Sequence, residues 1–415
     1  MSKGDAAATF PGARQATLLV AFMWVAYFLN YCDRQAVFAM FPSLKADLGM
    51  TDIQKGLAGT IFLWVYAFGC PIAGQLGDRF SKRLLIVLSL VVWSMVTVAM
   101  GFAGSAVMLL SLRAAMGISE SLFMQPAIAL TANAHPPALR SRAIATLTTA
   151  QIAGTVAGSY FGGWMADRGH WRGAFFVLGA AGVLYALPYF LFLRKVDENG
   201  YTEVNPAGGA PVLPVLLKVR TYLLLCVVFP VFVFGLWLLY GWLPDFLQGK
   251  FKLNQADAAL NATVYLQGMT AIGLLGGGVL ADALYRRSRA ARLWLMTASL
   301  VLCAPCLHAL GNSDTLMSTR FAAAGFGLFS GLLMGNIFPA AFDVVPANTR
   351  ATAVGVLNFC GAIMSGFATL FGGLWKQTLG IDGLLSLTAA AYVVAGLGLI
   401  GGIRKLFPRD YGAVH

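Results

Sequence analysis

The sequence predicts an all-α membrane protein with twelve transmembrane helices. Only 11% of its 415 residues are charged, less than half of the roughly 25% usual in soluble chains, and 58% are aliphatic, aromatic or cysteine. The apolar residues form continuous blocks of about 20 or more, which is the length that a helix needs to cross ~30 Å of hydrocarbon. Within each block the residues are continuously apolar and do not alternate with polar ones. We therefore expect helices rather than a β-barrel.

The twelve blocks fall into two groups of six. The predicted spans are residues 15–41, 55–77, 84–104, 106–133, 140–166, 172–194, 221–246, 257–284, 291–311, 318–344, 350–375 and 382–404. The longest polar stretch, residues 195–220, carries three prolines and a Gly-Gly pair, which is typical of a linker. We therefore predict an N-terminal six-helix bundle over 1–194, a cytoplasmic linker over 195–220 and a C-terminal six-helix bundle over 221–415.

Short matches between the two groups indicate that the halves are duplicates. Gly74-Gln-Leu-Gly-Asp78 closes span two, and Gly278-Val-Leu-Ala-Asp282 closes span eight, 204 residues later. Arg142-Ala-Ile-Ala-Thr opens span five, and Arg350-Ala-Thr-Ala-Val opens span eleven, 208 residues later. Two matches at corresponding ends of corresponding spans predict two pseudo-symmetric bundles.

The distribution of basic residues predicts the orientation. With both termini in the cytoplasm, 19 Lys and Arg lie on the cytoplasmic side and 8 on the opposite side. Such an excess is what the positive-inside rule describes, so we expect a multi-pass protein of the cell membrane, in bacteria the inner membrane. The same rule explains the net charge of +12 without nucleic acid, because the basic residues form no face interleaved with aromatics.

The sequence lacks the residues that several classes of function require. The sequence contains no Gly-x-x-x-x-Gly-Lys-Ser/Thr phosphate loop, so ATP-driven pumping by this chain is excluded. No nucleophile and base stand in a catalytic pattern, and the four histidines form no ligand cluster. We expect no enzyme activity, no cofactor and no metal. The bilayer and a small solute are the expected partners, and the chain is expected to be a monomer.

The loop Gly74-x-Leu76-x-Asp78-Arg79-x-x-Lys82-Arg83 and the Arg113-x-x-x-Gly117 of span four resemble signatures of the major facilitator superfamily. The resemblance covers essentially the whole chain and implies two bundles that rock around a central solute site, the alternating-access mechanism. Asn30-Tyr31-Cys32-Asp33-Arg34 resembles the organic anion:cation symporter branch, which carries carboxylates and sugar acids. The Spinster-like branch, linked to lysolipids, has a very similar Asp-Arg and span-four glutamate, and span one does not separate the two.

Four ionisable residues inside predicted spans are the strongest functional candidates: Asp33, Arg34, Arg113 and Glu120. A charge in the hydrocarbon zone costs about 2.5–3.5 kcal/mol, so it persists where it faces a cavity or a partner. We assign Arg34 to the binding of an anionic solute, because its guanidinium matches a carboxylate. Asp33 and Glu120 are assigned as proton carriers, and Arg113 as the partner that modulates Glu120. The alternative is a static ion-pair network between spans one and four.

Further candidates are weaker. Polar or aromatic residues within spans predict contacts to a solute or, alternatively, hydrogen bonds between helices: Tyr66, Gln125, Gln151, Trp237, Tyr265, Asn336 and Asn358. The resemblance implies that Asp78 and Arg79 gate the cycle, and we add Asp282, which is the counterpart of Asp78 in the second half, and Arg142 at the start of span five. The alternative for this loop is a positive-inside anchor.

Together these features predict a secondary active transporter that couples protons to the symport of a small organic anion, a carboxylate or sugar acid. The alternative is a Spinster-like transporter of lysolipid or another amphipathic lipid.

Overall fold

Within the ranges that the structure describes, every regular element is a helix. The structure is a computed structural model that describes residues 13–135, 137–196, 212–346 and 349–414. Inside these ranges, the side chains of 13, 74–75, 77–79, 125, 132–133, 137–141, 351 and 413–414 lie outside the description.

The described residues form fifteen helices. In chain order they are α1 Ala13–Ala39, α2 Phe41–Leu48, α3 Asp52–Arg79, α4 Lys82–Gly101, α5 Ala106–Asn133, α6 Pro137–Asp167, α7 Trp171–Leu193, α8 Val212–Leu216, α9 Arg220–Phe251, α10 Gln255–Tyr285, α11 Ala291–Asn312, α12 Leu316–Phe342, α13 Arg350–Trp375, α14 Gly380–Lys405 and α15 Phe407–Val414.

Twelve of these helices are long, and each coincides with one predicted span, which confirms the predicted fold class. Eleven are apolar enough over their described residues to cross a membrane. The twelfth, α6, has 31 residues and is long enough to cross at about 1.5 Å per residue. Its hydropathy is lower because hydroxyl residues and one amide, Gln151, are interspersed among its apolar residues between Thr146 and Ser159.

Side-chain caps begin several of the long helices. Ser81 accepts a hydrogen bond from the N–H of Leu84 at the start of α4, 3.3 Å away. Asn254 accepts from the N–H of Asp257 at the start of α10, 2.7 Å away. Such caps bind backbone N–H groups that the first turn of a helix leaves without an intrahelical acceptor.

The chain divides into two compact units, and the first contains residues 1–37 and 65–207. Here α4 packs against α5 and α7, and α6 packs against α5 and α7. Its core joins α1, α4, α5 and α7 through buried apolar side chains such as Met23, Trp93, Phe123 and Tyr189.

The second unit contains residues 38–64 and 208–415. Helix α10 packs against α12, α11 against α12 and α14, and α9 against α13 and α14. Helix α15 also contacts α9, where the Asp410 carboxylate accepts a hydrogen bond from the N–H of Thr221 at the start of α9, 2.6 Å away. This unit therefore includes a short piece from the predicted N-terminal half, residues 38–64, which packs with the C-terminal helices.

The predicted bundles 1–194 and 221–415, with their linker 195–220, stay a prediction. The two compact units are defined by contacts between residues, whereas the predicted bundles are defined by the linker and by the duplication of the sequence. Two further differences concern short helices. Helix α2 was not predicted as a separate element, since its eight residues include Pro42 and Lys45. Helix α8 lies in the predicted linker, most of whose residues fall outside the described ranges.

Candidate functional site

The first unit contains a buried ion pair between α1 and α5. Arg34 Nε lies 2.5 Å from Glu120 Oε2, and the side chains are 5% and 0% exposed. The residues are 86 positions apart in the chain. Charges removed from water in this way are retained where each finds its counter-charge, so the pair explains how both residues persist within the membrane.

Two tyrosine rings hold the Arg34 guanidinium. Its central carbon lies 5.0 Å from the ring centroid of Tyr31 and 4.7 Å from that of Tyr66. Both distances fall within the range of a cation–π interaction. Tyr66 was predicted as a binding residue, and the structure brings it to Arg34. Tyr31 was not predicted, although it lies about one helical turn before Arg34 in the same motif.

A second carboxyl lies close to this pair. Asp33 is 2% exposed, and its Oδ1 has no hydrogen-bond partner among the described residues. On α4, the Thr97 hydroxyl and the Trp93 indole interact with this carboxyl. A buried carboxyl with an unoccupied acceptor atom can hold a proton at low cost, because protonation removes the buried charge.

Arg113 completes the buried charged cluster. It is 0% exposed, and its Nη1 contacts the Met116 sulfur at 3.5 Å. It lies close enough to Glu120, Asp33 and Arg34 to interact electrostatically with all three. The structure thus pairs Glu120 directly with Arg34, whereas Arg113 acts on Glu120 through space. The cluster contains two cations and two carboxyls.

The other predicted binding residues lie apart from this cluster. Asn336 is buried in α12 and donates to the carbonyls of Leu332, 2.8 Å away, and Gly277, 3.3 Å away, which links α12 to α10. Tyr265 is 37% exposed under the Arg320 guanidinium, which lies 5.5 Å from its ring centroid. Trp237 packs edge-on against Tyr240, with centroids 5.7 Å apart.

Three more predicted binding residues have no described contact that supports their role. Gln151 is half-buried and Asn358 is exposed. The side chain of Gln125 lies outside the described residues. For these, as for Asn336, Tyr265 and Trp237, solute contact stays a prediction.

The predicted gating residues are described only in part. The side chains of Asp78 and Arg79 lie outside the described residues. Asp282 is 76% exposed and 3.4 Å from Arg292, which also contacts Asp343 at 2.7 Å. Arg142 is exposed. Gating by these four residues also stays a prediction.

The second unit contains an ion-pair network that sequence reasoning missed. Lys55 Nζ lies 2.6 Å from Asp52 and 3.5 Å from Asp245, and Lys376 Nζ lies 3.3 Å from Asp52 and 2.5 Å from Asp245. Two lysines and two aspartates from α3, α9 and the end of α13 thus neutralise one another. Burial lowers the pKa of Lys376, but the carboxylates of Asp245 and Asp52 raise it by more, so the net pKa lies above its usual value.

Lys55 is the surprising member of this network, because its side chain is only 1% exposed. Sequence reasoning counted it among the basic residues of the predicted external side. Asp52, one turn earlier on the same helix, was the available signal, since charges three residues apart face one another on a helix.

Comparison with known proteins identifies the family of this chain. The family model of the Major Facilitator Superfamily matches residues 23–369. The chain therefore belongs to the major facilitator superfamily. It is a multi-pass membrane transporter of a small molecule and not an enzyme.

Individual relatives share about a quarter of their residues, or less, with this chain. The chain is 25% identical to the hexuronate transporter of Bacillus subtilis, covering 95% of this chain and 96% of that protein. It is 28% identical to a probable sulfoacetate transporter of Cupriavidus necator, covering 92% and 84%. The crystal structure of a bacterial homologue of the human lysosomal transporter Spinster, in an inward-facing and occupied conformation, has a TM-score of 0.82. It covers 96% of this chain and 99% of that chain at 21% identity, which supports the fold.

Proposed function

We propose that the protein couples protons to the symport of a small organic anion by alternating access. The observation that carries the proposal is the buried pair of Arg34 and Glu120, 2.5 Å apart in the first unit. A transporter of anions needs a fixed cation that a solute can reach, and the cycle needs a way to make that cation available.

Protonation of Glu120 provides this coupling. The charged carboxylate holds Arg34, whereas a neutral Glu120 leaves the guanidinium with an unbalanced charge in a low-dielectric environment. A solute carboxylate then replaces Glu120 as the counter-ion and accepts two parallel N–H bonds from the planar guanidinium. Loss of the proton returns Glu120 to Arg34 and displaces the anion. Binding of a proton to Glu120 thus favours binding of an anion to Arg34, and binding of the anion favours the protonated carboxyl.

Asp33 gives this scheme a second proton site. It lies beside the pair, is buried, and has an acceptor atom without a hydrogen-bond partner among the described residues. Arg113 offsets the second negative charge when both carboxyls are ionised, since it interacts electrostatically with each of them. We propose the orientation with both termini in the cytoplasm, as the basic residues predict.

The named relatives favour acids as solutes. The B. subtilis relative is a hexuronate transporter, and the C. necator relative is a probable sulfoacetate transporter. Both solutes are small and anionic, so each would present to Arg34 a group that accepts parallel hydrogen bonds. We therefore propose hexuronates and short sulfonated acids as the first candidates.

The test is uptake of labelled glucuronate and sulfoacetate into proteoliposomes, with the outside more acidic than the inside. The wild-type protein is expected to take up at least one acid faster under this gradient than at uniform pH. Glu120→Gln is expected to abolish the gradient dependence while solute-for-solute exchange persists, because the neutral amide mimics the protonated carboxyl. Asp314→Asn, an exposed acid-to-amide change, is the control and should behave as wild type.

Two results would overturn the proposal in different ways. If acids are exchanged but imposed pH gradients leave uptake unchanged, the anion assignment holds and proton coupling is wrong. If lysophosphatidylcholine is transported and no acid is, the chain carries an amphipathic lipid, as in the Spinster-like alternative.

A further inference from the structure

A second candidate site, with two arginines in its lining, lies in the first unit, where α4 begins and α7 ends. It is a cavity of about 280 Å³. Ser81, Arg83, Leu84, Phe190, Leu193 and Arg194 line it. These six residues include two arginines and no acid, so the lining carries a net positive charge. Neither Arg34 nor Glu120 is among them, and the transport mechanism makes no use of this cavity.

The two arginines are positioned differently. Arg83 Nη1 donates to the carbonyl of Val196 at 2.8 Å and to that of Arg194 at 3.3 Å, which fixes its side chain against the end of α7. Arg194 is exposed, with its guanidinium 5.7 Å from the centroid of the Phe190 ring. One arginine of the lining is thus fixed by hydrogen bonds, and the other is exposed and lies beside an aromatic ring.

Apolar side chains continue from the cavity along both helices. On α4, Leu84 is 50% exposed and Leu88, four residues on, is 51% exposed. On α7, Leu191 is 50% exposed and Leu187, four residues before it, is 64% exposed. Residues four apart share a face of a helix, so each pair forms an apolar strip that starts at the basic cavity.

A basic cavity that opens onto two apolar strips matches a molecule with an anionic head and hydrocarbon tails. We propose that this cavity binds the headgroup phosphate of an anionic phospholipid, whose acyl chains lie along the exposed faces of α4 and α7. The basic-residue distribution predicts that this end of both helices faces the cytoplasm, where anionic lipids attract clustered Arg and Lys. The lipid is a bound neighbour of the transporter and not its solute.

The test uses purified full-length protein in neutral detergent and measures lipid binding by native mass spectrometry. Dioleoyl phosphatidylglycerol is titrated against dioleoyl phosphatidylcholine, and free glycerol 3-phosphate is added in a third series. We expect the wild-type protein to prefer phosphatidylglycerol. Arg194→Gln should weaken its binding about fivefold, which is the effect of one basic residue near an anionic membrane surface.

Arg286→Gln is the matched control. Arg286 is also exposed and lies on the predicted cytoplasmic side, but it does not line the cavity. Its substitution should leave the preference for phosphatidylglycerol unchanged. An equal loss in both variants would overturn the local site in favour of general surface charge. Displacement of phosphatidylglycerol by glycerol 3-phosphate at similar concentration would overturn the assignment of the cavity to a lipid and would assign it to a soluble phosphate.

Discussion

At the scale of single residues, the arrangement around Arg34 depends on aromatic faces as much as on the opposite charge. The guanidinium lies over the rings of Tyr31 and Tyr66, at 5.0 and 4.7 Å from their centroids. A ring face attracts a cation without neutralising it, so it can hold Arg34 in position in both the Glu120-bound and the solute-bound states. Asp33 and Glu120 cannot do this, since each would compete with the anion.

Tyr31 allows this role to be tested separately from the hydroxyl group. Tyr31→Phe keeps the ring and should change the KM for the transported acid by less than about twofold. Tyr31→Leu removes the ring face, and a cation–π contact of about 0.5–2 kcal/mol corresponds to a KM increase of roughly 2- to 30-fold. Concentration-dependent uptake in proteoliposomes measures both. Equal effects of the two substitutions would show that the ring face is not the interaction that positions Arg34.

At the scale of elements, glycines set how closely α10 and α12 approach. A Cβ built on Gly273 would meet the carbonyl of Leu328 and lie 3.1 Å from the Cα of Gly331. A Cβ on Gly331 would in turn lie 2.7 Å from the N of Leu274. Because these neighbours are backbone atoms, they cannot move without separating the helices. Small residues at such crossings are how transmembrane helices pack without a hydrophobic driving force.

Gly273→Ala is therefore expected to destabilise the protein, although alanine is the better helix former. Overpacking costs about 1–3 kcal/mol, more than the ~1 kcal/mol gained in helix propensity. Gly276→Ala on the same helix is the matched control, because a Cβ there meets nothing within 4 Å. Its apparent melting temperature in detergent should equal or exceed that of wild type, and that of Gly273→Ala should be lower. The reverse order would contradict the close-packing role of Gly273.

At the scale of the whole molecule, the long helices were predictable from sequence, whereas the pairing of their charges was not. Apolar block length gave each span, as for residues 221–246, which lie inside α9. Predicted spans one and four contain two acids, Asp33 and Glu120, and two arginines, so the sequence allows two sets of acid–arginine pairs. Only the fold brings Arg34 and Glu120, 86 residues apart, to hydrogen-bond distance.

The network of Lys55, Asp52, Asp245 and Lys376 was missed for the same reason. A lysine at the end of an apolar block is predicted to be solvent-exposed, whereas Lys55 is buried because it pairs with Asp52, three residues earlier, and with Asp245, 190 residues away. The burial of a charge is thus decided by tertiary partners that are distant in sequence. Periodicity and composition carry no information about such partners.

The contact between residues 38–64 and the C-terminal helices allows a test of alternating access. Within the second unit, the hydroxyl of Thr60 lies 3.0 Å from that of Thr369, and Thr60 also donates to the carbonyl of Gly366 at 2.8 Å. If the predicted halves rock apart, α3 and α13 must separate here once in each cycle. Cysteines in place of the two threonines would bring their sulfurs close enough for a disulfide after small adjustments.

Thr60→Cys/Thr369→Cys is therefore expected to lose uptake on oxidation and to regain it on reduction. None of the six native cysteines forms a disulfide, so the substitutions are made in a background that replaces them with alanine or serine. The single variants Thr60→Cys and Thr369→Cys are the controls and should keep their uptake under the same oxidant. Because the bond would hold α3 against α13, full uptake by a quantitatively cross-linked double variant would mean that this contact stays closed throughout transport. The solute would then cross without separation of these two helices, and rocking of the two halves about this end would be the wrong mechanism.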